Sequence, residues 1–171
     1  MLPKAVLDPG IFNRWGPDFA VEHGLVLACN DGAVMTVGFG HRYPSVEVWS
    51  TSRVDQPWRV DDEGIDAVSD LLHAAHVAVS DDVPANEEWH YRPMGTGVPV
   101  PWRIILKLRT STLAGFEGGT KIYVNTISPT TLAAMLLPKL FEARAALRCA
   151  AWTLGVECEW RWGELAGTGE R

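Results

Sequence analysis

Residues 128–155 read SPTTLAAMLLPKLFEARAALRCAAWTLG, and this stretch decides the fold. Ser128 is an N-cap, because its hydroxyl can accept from an orphan N–H of the first turn. Pro129 follows at the position where a missing N–H costs nothing. Gly155 stands where a left-handed terminal residue is wanted. At 100° per residue, Leu132, Leu136, Leu140, Ala143, Leu147, Ala150 and Leu154 share one face. Phe141, Ala145 and Trp152 make a second apolar strip nearly opposite, with Arg144 and Arg148 between. A helix apolar on two sides is buried on both, or buried on one and used for association on the other. Pro138 predicts a kink or short break near Leu137. Leu147→Asp is expected to unfold the domain, and Arg144→Ala to be mild.

Upstream, residues 1–23 form an N-terminal arm broken by Pro3, Pro9, Gly10, Gly16 and Pro17. One helical turn is expected over Ile11 to Trp15 and another over Asp18 to His23. Phe12, Trp15 and Phe19 suit an arm that packs on its own domain or on a neighbour. Asp31-Gly32 lies between the apolar runs Leu25 to Asn30 and Ala33 to Phe39, a hairpin signal. A third strand follows at Ser45 to Ser50. Asp61 and Asp62 can cap a helix over Asp62 to Val79, with Ile65, Val68, Leu72, Ala75, His76 and Val79 on its apolar face.

Residues 80–101, SDDVPANEEWHYRPMGTGVPVP, hold four prolines and no period, so they read as a long loop ordered by function or by a partner. Trp102 to Thr110 alternates, with Trp102, Ile104, Leu106 and Leu108 on one face and Arg103, Ile105, Lys107 and Arg109 on the other. That is a half-buried strand with a basic outer face. Phe116 to Gly119 turns into a strand over Lys121 to Thr126, and Val156 to Trp162 alternates as a last strand. Residues 165–171 read as a flexible tail, leaving 24–164 as one domain.

The strand and helix blocks do not alternate, which predicts an α+β fold. The expected form is a largely antiparallel sheet of about six strands, with a long C-terminal helix and a shorter central helix packed on it. In element order alone, this resembles the type III secretion chaperone-like fold.

The 171 residues carry a net charge of −6. Residues 1–100 hold 6 basic and 15 acidic groups, and residues 101–171 hold 9 and 6. The acidic balance argues against a nucleic-acid partner. No apolar run is long enough for a membrane span, and the N-terminus lacks a signal-peptide pattern, so a cytoplasmic protein, or a virion component if viral, is expected. Cys29, Cys149 and Cys158 lack metal spacing and read as buried free thiols. The 11 Arg to 4 Lys suggest a bacterium or a phage with high-GC coding.

No catalytic motif survives inspection. A phosphate loop, a nucleophile elbow and a zinc-protease helix are all absent. His73 and His76 have a chelating spacing on a helix but no third ligand by spacing. His41, in GFGHRYP, sits at a strand end where Gly38 and Gly40 permit close approach. Glu47 or Asp31 is a possible carboxylate partner for a general base there. The acidic pairs Asp61-Asp62, Asp81-Asp82 and Glu87-Glu88 read as solvated charges. No catalytic residue, metal or cofactor is assigned.

Eight tryptophans are the compositional outlier. Together with the doubly apolar helix and the loop, they favour a non-enzymatic protein–protein interaction or assembly protein. A bacterial adaptor or chaperone, a viral tail or neck component, and self-association all fit that description. The contact residues would be Trp58, Trp89, His90, Tyr91, Arg92, Phe141, Trp152 and His41. The alternatives are a small enzyme with His41 and His90 in a pocket roofed by the 80–101 loop, or a carbohydrate-binding module using Trp58, Trp89 or Trp162.

Overall fold

A computed structural model describes residues 8, 10–52, 54–110, 114–147 and 152–159, with the side chain of Leu147 outside that set. Two short helices, α1 (Ile11–Arg14) and α2 (Pro17–Glu22), lead into strands β1 (Val26–Cys29), β2 (Ala33–Val37) and β3 (Ser45–Ser50). Helix α3 (Asp62–Val79), strands β4 (Ala85–His90) and β5 (Arg103–Leu108), helix α4 (Gly115–Thr120), helix α5 (Pro129–Leu147) and strand β6 (Thr153–Leu154) complete the chain. The fold is α+β: one six-stranded antiparallel sheet in the order β4-β5-β3-β2-β1-β6, with helices packed on it.

The Asp31-Gly32 hairpin forms where expected. Asn30 accepts from the Gly32 and Ala33 amides through its side-chain oxygen, at 3.1 and 2.8 Å. Its amide donates to the Ala67 carbonyl of α3 at 2.8 Å, so one side chain closes the turn and ties it to a helix. Asp61 caps α3 by accepting from Gly64 N at 3.0 Å. Ser128 caps α5 by accepting from Thr131 N at 3.1 Å.

The pleat sorts the sheet into two unlike faces. Registered pairing puts Val46, Val48, Met35, Val37, Ile104 and Leu106 on one face. Val68, Leu71, Ala75 and Ala78 of α3 and Leu132, Leu136 and Leu140 of α5 pack there in a single core. Leu71 and Leu140 are fully buried, and each such burial stabilises by about 1.5–3 kcal/mol. The other face carries Ser45, Glu47 and Trp49 of β3, Thr36 and Val34 of β2, Arg103 and Lys107 of β5, and Glu88 and His90 of β4. The arm covers one end of it. A Cβ on Gly16, between α1 and α2, would stand 2.8 Å from the Trp49 ring, and Phe19 stacks on Phe39 with centroids 4.0 Å apart.

Several expectations change. Residues 80–101 are not a structureless loop: β4 lies inside them and pairs with β5 along its whole length. Its side chains are mostly exposed, so apolar alternation was absent even though the backbone is fully laddered. Phe116 to Gly119 lies in α4, and Lys121 to Thr126 is not a strand. The last strand is only Thr153–Leu154, and a 3-10 turn follows at Gly155–Glu157. Helix α5 runs through Pro138 without a break. The α3 core face is Val68, Leu71, Ala74, Ala75, Ala78 and Val79, with Ile65 and Leu72 packed against it as expected, but His76 is exposed. Trp152 is buried in the core beside Leu154 and is no part of a spare strip, whereas Phe141 is exposed. Cys149, Ala150, Trp160 and Trp162 lie outside the described residues. Among the described residues, no helix is long and apolar enough to cross a membrane.

Candidate functional site

The face away from α3 and α5 concentrates ionisable groups that a core would reject. Glu47 points from the middle of β3 and is 4% exposed. Its Oε1 meets His41 Nε2 at 2.5 Å, and its Oε2 faces the Arg103 guanidinium at 3.6 Å. Arg103 also lies 4.3 Å above the Trp49 ring, a cation–π contact strengthened by burial. One register step away, His90 of β4 stands opposite Arg103. Lys107, four residues along β5 from Arg103, bonds Glu88 at 2.5 Å, and Glu88 reaches back to His90 Nε2 at 3.4 Å.

Local sequence explains how His41 gets there. Gly40 adopts φ +69°, which turns the chain after β2 at no steric cost. A Cβ on Gly38 would stand 2.7 Å from the His41 ring. The two glycines therefore admit His41 itself, and the imidazole folds back onto Glu47.

The electrostatics follow from burial and pairing. Burial pushes the Glu47 carboxyl up, but the His41 hydrogen bond and the Arg103 charge outweigh it and hold the pKa below the usual carboxylate range. For Glu88 the Lys107 hydrogen bond is the largest influence, and the pKa is again lowered. Burial is the main cause depressing His90, followed by the Arg103 charge, with Glu88 opposing both. His90 is thus neutral at pH 7 and keeps a lone pair. Burial also lowers Arg103, against the attraction of Glu47. The result is a neutral imidazole beside two cations and a second imidazole oriented by a carboxylate. That set can accept a proton, attack an electrophile, or hold a phosphate-sized anion.

His41 and His90, taken from distant parts of the sequence, lie on this one face: His41 pairs with Glu47 and Glu47 with Arg103, and Arg103 stands opposite His90 in the ladder. The other contact residues do not join this group. Trp89 points to the helix-side face and packs at 6.0 Å from Trp102. Trp58 and Tyr91 form their own edge-on pair at 5.1 Å. Arg92 clamps its loop by pairing with Asp55 at 2.7 Å and donating to the Thr96 carbonyl at 3.0 Å. Phe141 sits 5.0 Å from the Arg144 guanidinium on the outside of α5. The pair Glu87-Glu88 is not simply solvated: neighbours on a strand point oppositely, and Glu87 bonds His76 at 2.8 Å on the far face. Glu47, Glu88, Arg103 and Lys107 were missing from the assigned site. The only sequence signal for them was the basic side of β5 and the possible Glu47–His41 pairing. Among the described residues, no group of three His, Cys, Asp or Glu side chains could hold a metal ion.

The family described as Domain of unknown function (DUF4921) matches residues 3–166. The chain belongs to that family. No curated protein matches it by sequence. Among solved structures, a GalT-like protein from Arabidopsis thaliana shares 21% identity at a TM-score of 0.60, over 66% of this chain and 40% of its own. An ADP-glucose phosphorylase from Arabidopsis thaliana, with bound ADP-glucose, shares 20% at 0.62, over 74% and 44%. A uridylyltransferase shares 16% at 0.66, over 82% and 48%. The DUF4921 chain therefore spans less than half the length of each of these three proteins, and the likeness is one of fold.

That likeness corrects the functional expectation. Solved structures with this fold include a GalT-like protein, a phosphorylase and a uridylyltransferase, so the assembly, chaperone-like and viral structural readings are withdrawn. Their structural support has also gone. The fully apolar strip needed Trp152, which the core of the same chain buries, and the supposed partner-ordered loop is partly a strand of the sheet.

Proposed function

We propose that this chain is an enzyme, or the catalytic part of one, that transfers a phosphorus-centred group on a nucleotide sugar or a related phosphorylated small molecule. The charged face away from α3 and α5 is its site. The observation that carries the proposal is the gathering of His41, Glu47, Arg103 and His90 on one face with Lys107. The fold shared with a uridylyltransferase and an ADP-glucose phosphorylase supports the substrate class. A phosphate entering at Lys107 exchanges for Glu88, whose half-exposed carboxylate can swing to solvent. Arg103 stays fixed by Glu47 and Trp49 and supplies charge that needs no reorganisation during reaction. Neutral His90 is the base or nucleophile, and Glu47 orients a second imidazole, His41, on the same face.

The test is turnover of ADP-glucose and UDP-glucose with inorganic phosphate or a sugar phosphate as acceptor, followed by phosphorus NMR. Wild-type protein is expected to release or exchange the sugar phosphate. His90→Ala should lower kcat at least a hundredfold, with circular dichroism unchanged. Arg103→Lys, which keeps charge but loses the planar fork, should mainly raise KM. Wild-type protein that neither binds nor turns over any phosphorylated sugar or nucleotide would overturn the proposal.

A further inference from the structure

At the far edge of the same sheet, away from the charged cluster, two cysteines meet. Cys29 ends β1, and Thr153 of β6 lies directly opposite it in the ladder. Cys29 Sγ and Thr153 Oγ1 are 2.7 Å apart. After β6 the 3-10 turn Gly155–Glu157 brings the chain back, so that Cys158 Sγ donates to the Thr153 carbonyl at 3.2 Å and lies 3.5 Å from the Thr153 hydroxyl. Both thiols therefore lie against the same Thr153 side chain. Both are free and partly exposed. They come from positions 129 residues apart, so nothing in local sequence requires them to meet.

We propose that Cys29 and Cys158 form a thiol-oxidation site, with Cys29 as the attacking thiol and Cys158 as the resolving one, and a small disulfide of the glutathione type as co-reactant. The Cys29 thiolate attacks one sulfur of that disulfide. A mixed disulfide forms, and one small thiolate leaves and takes a proton. Cys158 then loses its proton to solvent and attacks Cys29 Sγ, expelling the second small thiolate. Two protein thiols are oxidised, and one small disulfide is reduced to two thiols.

The surroundings divide the roles. The hydrogen bond from Cys158 is the largest influence on Cys29 and brings its pKa to about 7, with burial and the Asp31 charge opposing and the Thr153 hydroxyl helping. The same contact is the main cause raising Cys158, aided by burial and the charge of Glu157 and opposed by Thr153. Once Cys29 is bonded to the small thiol its charge is gone, and the chief restraint on Cys158 goes with it. The product bond would fasten the short β6 ladder to β1 covalently. This site lies three strand spacings from Arg103, roughly 14 Å, and it does not depend on the proposed transfer reaction.

The test uses full-length protein carrying Cys149→Ser, incubated with oxidised glutathione and mapped by peptide mass spectrometry. The expected product is a Cys29–Cys158 disulfide reversed by dithiothreitol. Adding Cys158→Ser should stop the reaction at glutathionylated Cys29, and adding Cys29→Ser should slow modification at least tenfold. Alkylation of Cys29 by iodoacetamide should be half-maximal near pH 7. Both thiols remaining free in the folded protein, equal reactivity of the two single variants, or an alkylation midpoint at an ordinary thiol value would overturn it. In protein with Cys149 intact, a bond from Cys29 to Cys149 would also overturn it.

Discussion

The two faces of one sheet obey opposite rules. On the helix side, Leu71, Leu140, Ile104 and Leu106 exclude water and carry no charge inside the packed layer. On the other side the same strands, one residue out of phase, bury Glu47 and half-bury Arg103, with His41 and His90 on the same face. Apolar area supports the first face, and a closed set of ionic partners supports the second. Desolvating a carboxylate and a guanidinium costs several kcal/mol each, and pairing only roughly offsets it. A charged layer of this kind contributes little to stability and much to chemistry. The proposed function is placed on the face away from α3 and α5 for this reason.

The sharpest way to break the comparison is to put a charge on the wrong face. Leu71→Asp leaves an unpaired carboxylate in the sealed core, and thermal melting should show no cooperative transition. Next comes removal of one partner on the charged face. Glu47→Ala strands Arg103 and should cost about 3–5 kcal/mol in urea unfolding. Glu47→Gln keeps an acceptor for His41 and should cost less. Equal losses would mean that packing, not charge, holds this layer.

Much of this was legible in the sequence. The Asp31-Gly32 hairpin, the Asp61 cap and the Ser128-Pro129 start each rest on local chemistry, and each formed as read. Strand β4 was not legible, because ANEEWH has neither apolar alternation nor β-branched residues, and its ladder partner lies across a proline-rich turn. The site was half visible. Arg103 and Lys107 stood out by alternation and His41 by its glycines. Placing His41 and His90 on one face with Glu47 and Arg103 takes three strands that only tertiary register brings together. Trp152 misled for a related reason: a helical wheel carried past the end of α5 assigns faces the backbone does not keep.

A smaller effect separates the faces by pH. His90 titrates below its ordinary value in the folded chain, so its contribution is complete above about pH 6.5 and is lost as pH falls through the folded value. Glu47 and Glu88 are also depressed. Their contributions are complete above about pH 4.5 and fade as acid protonates them in the native state. Stability measured from pH 8 downward should fall in two stages. His90→Gln should remove the first and Glu47→Gln should weaken the second, whereas Leu140→Ala should lower the whole curve without changing its shape. The smallest change is expected outside both faces: Trp58→Ala and Phe141→Ser, at exposed positions, should leave melting and turnover nearly unchanged.

The most direct measurement is an amide NMR titration of the intact chain with ADP-glucose and UDP-glucose. Saturable shifts are expected at Glu47, Glu88, His90, Arg103 and Lys107, and should disappear in Arg103→Gln. An acidic hollow of about 510 Å³ lies elsewhere, lined by Asn30, Asp31, Asp61, Glu63 and Asp70, and serves as an internal control. Shifts confined to that hollow or to the helix-side face, with the charged face silent, would contradict the account.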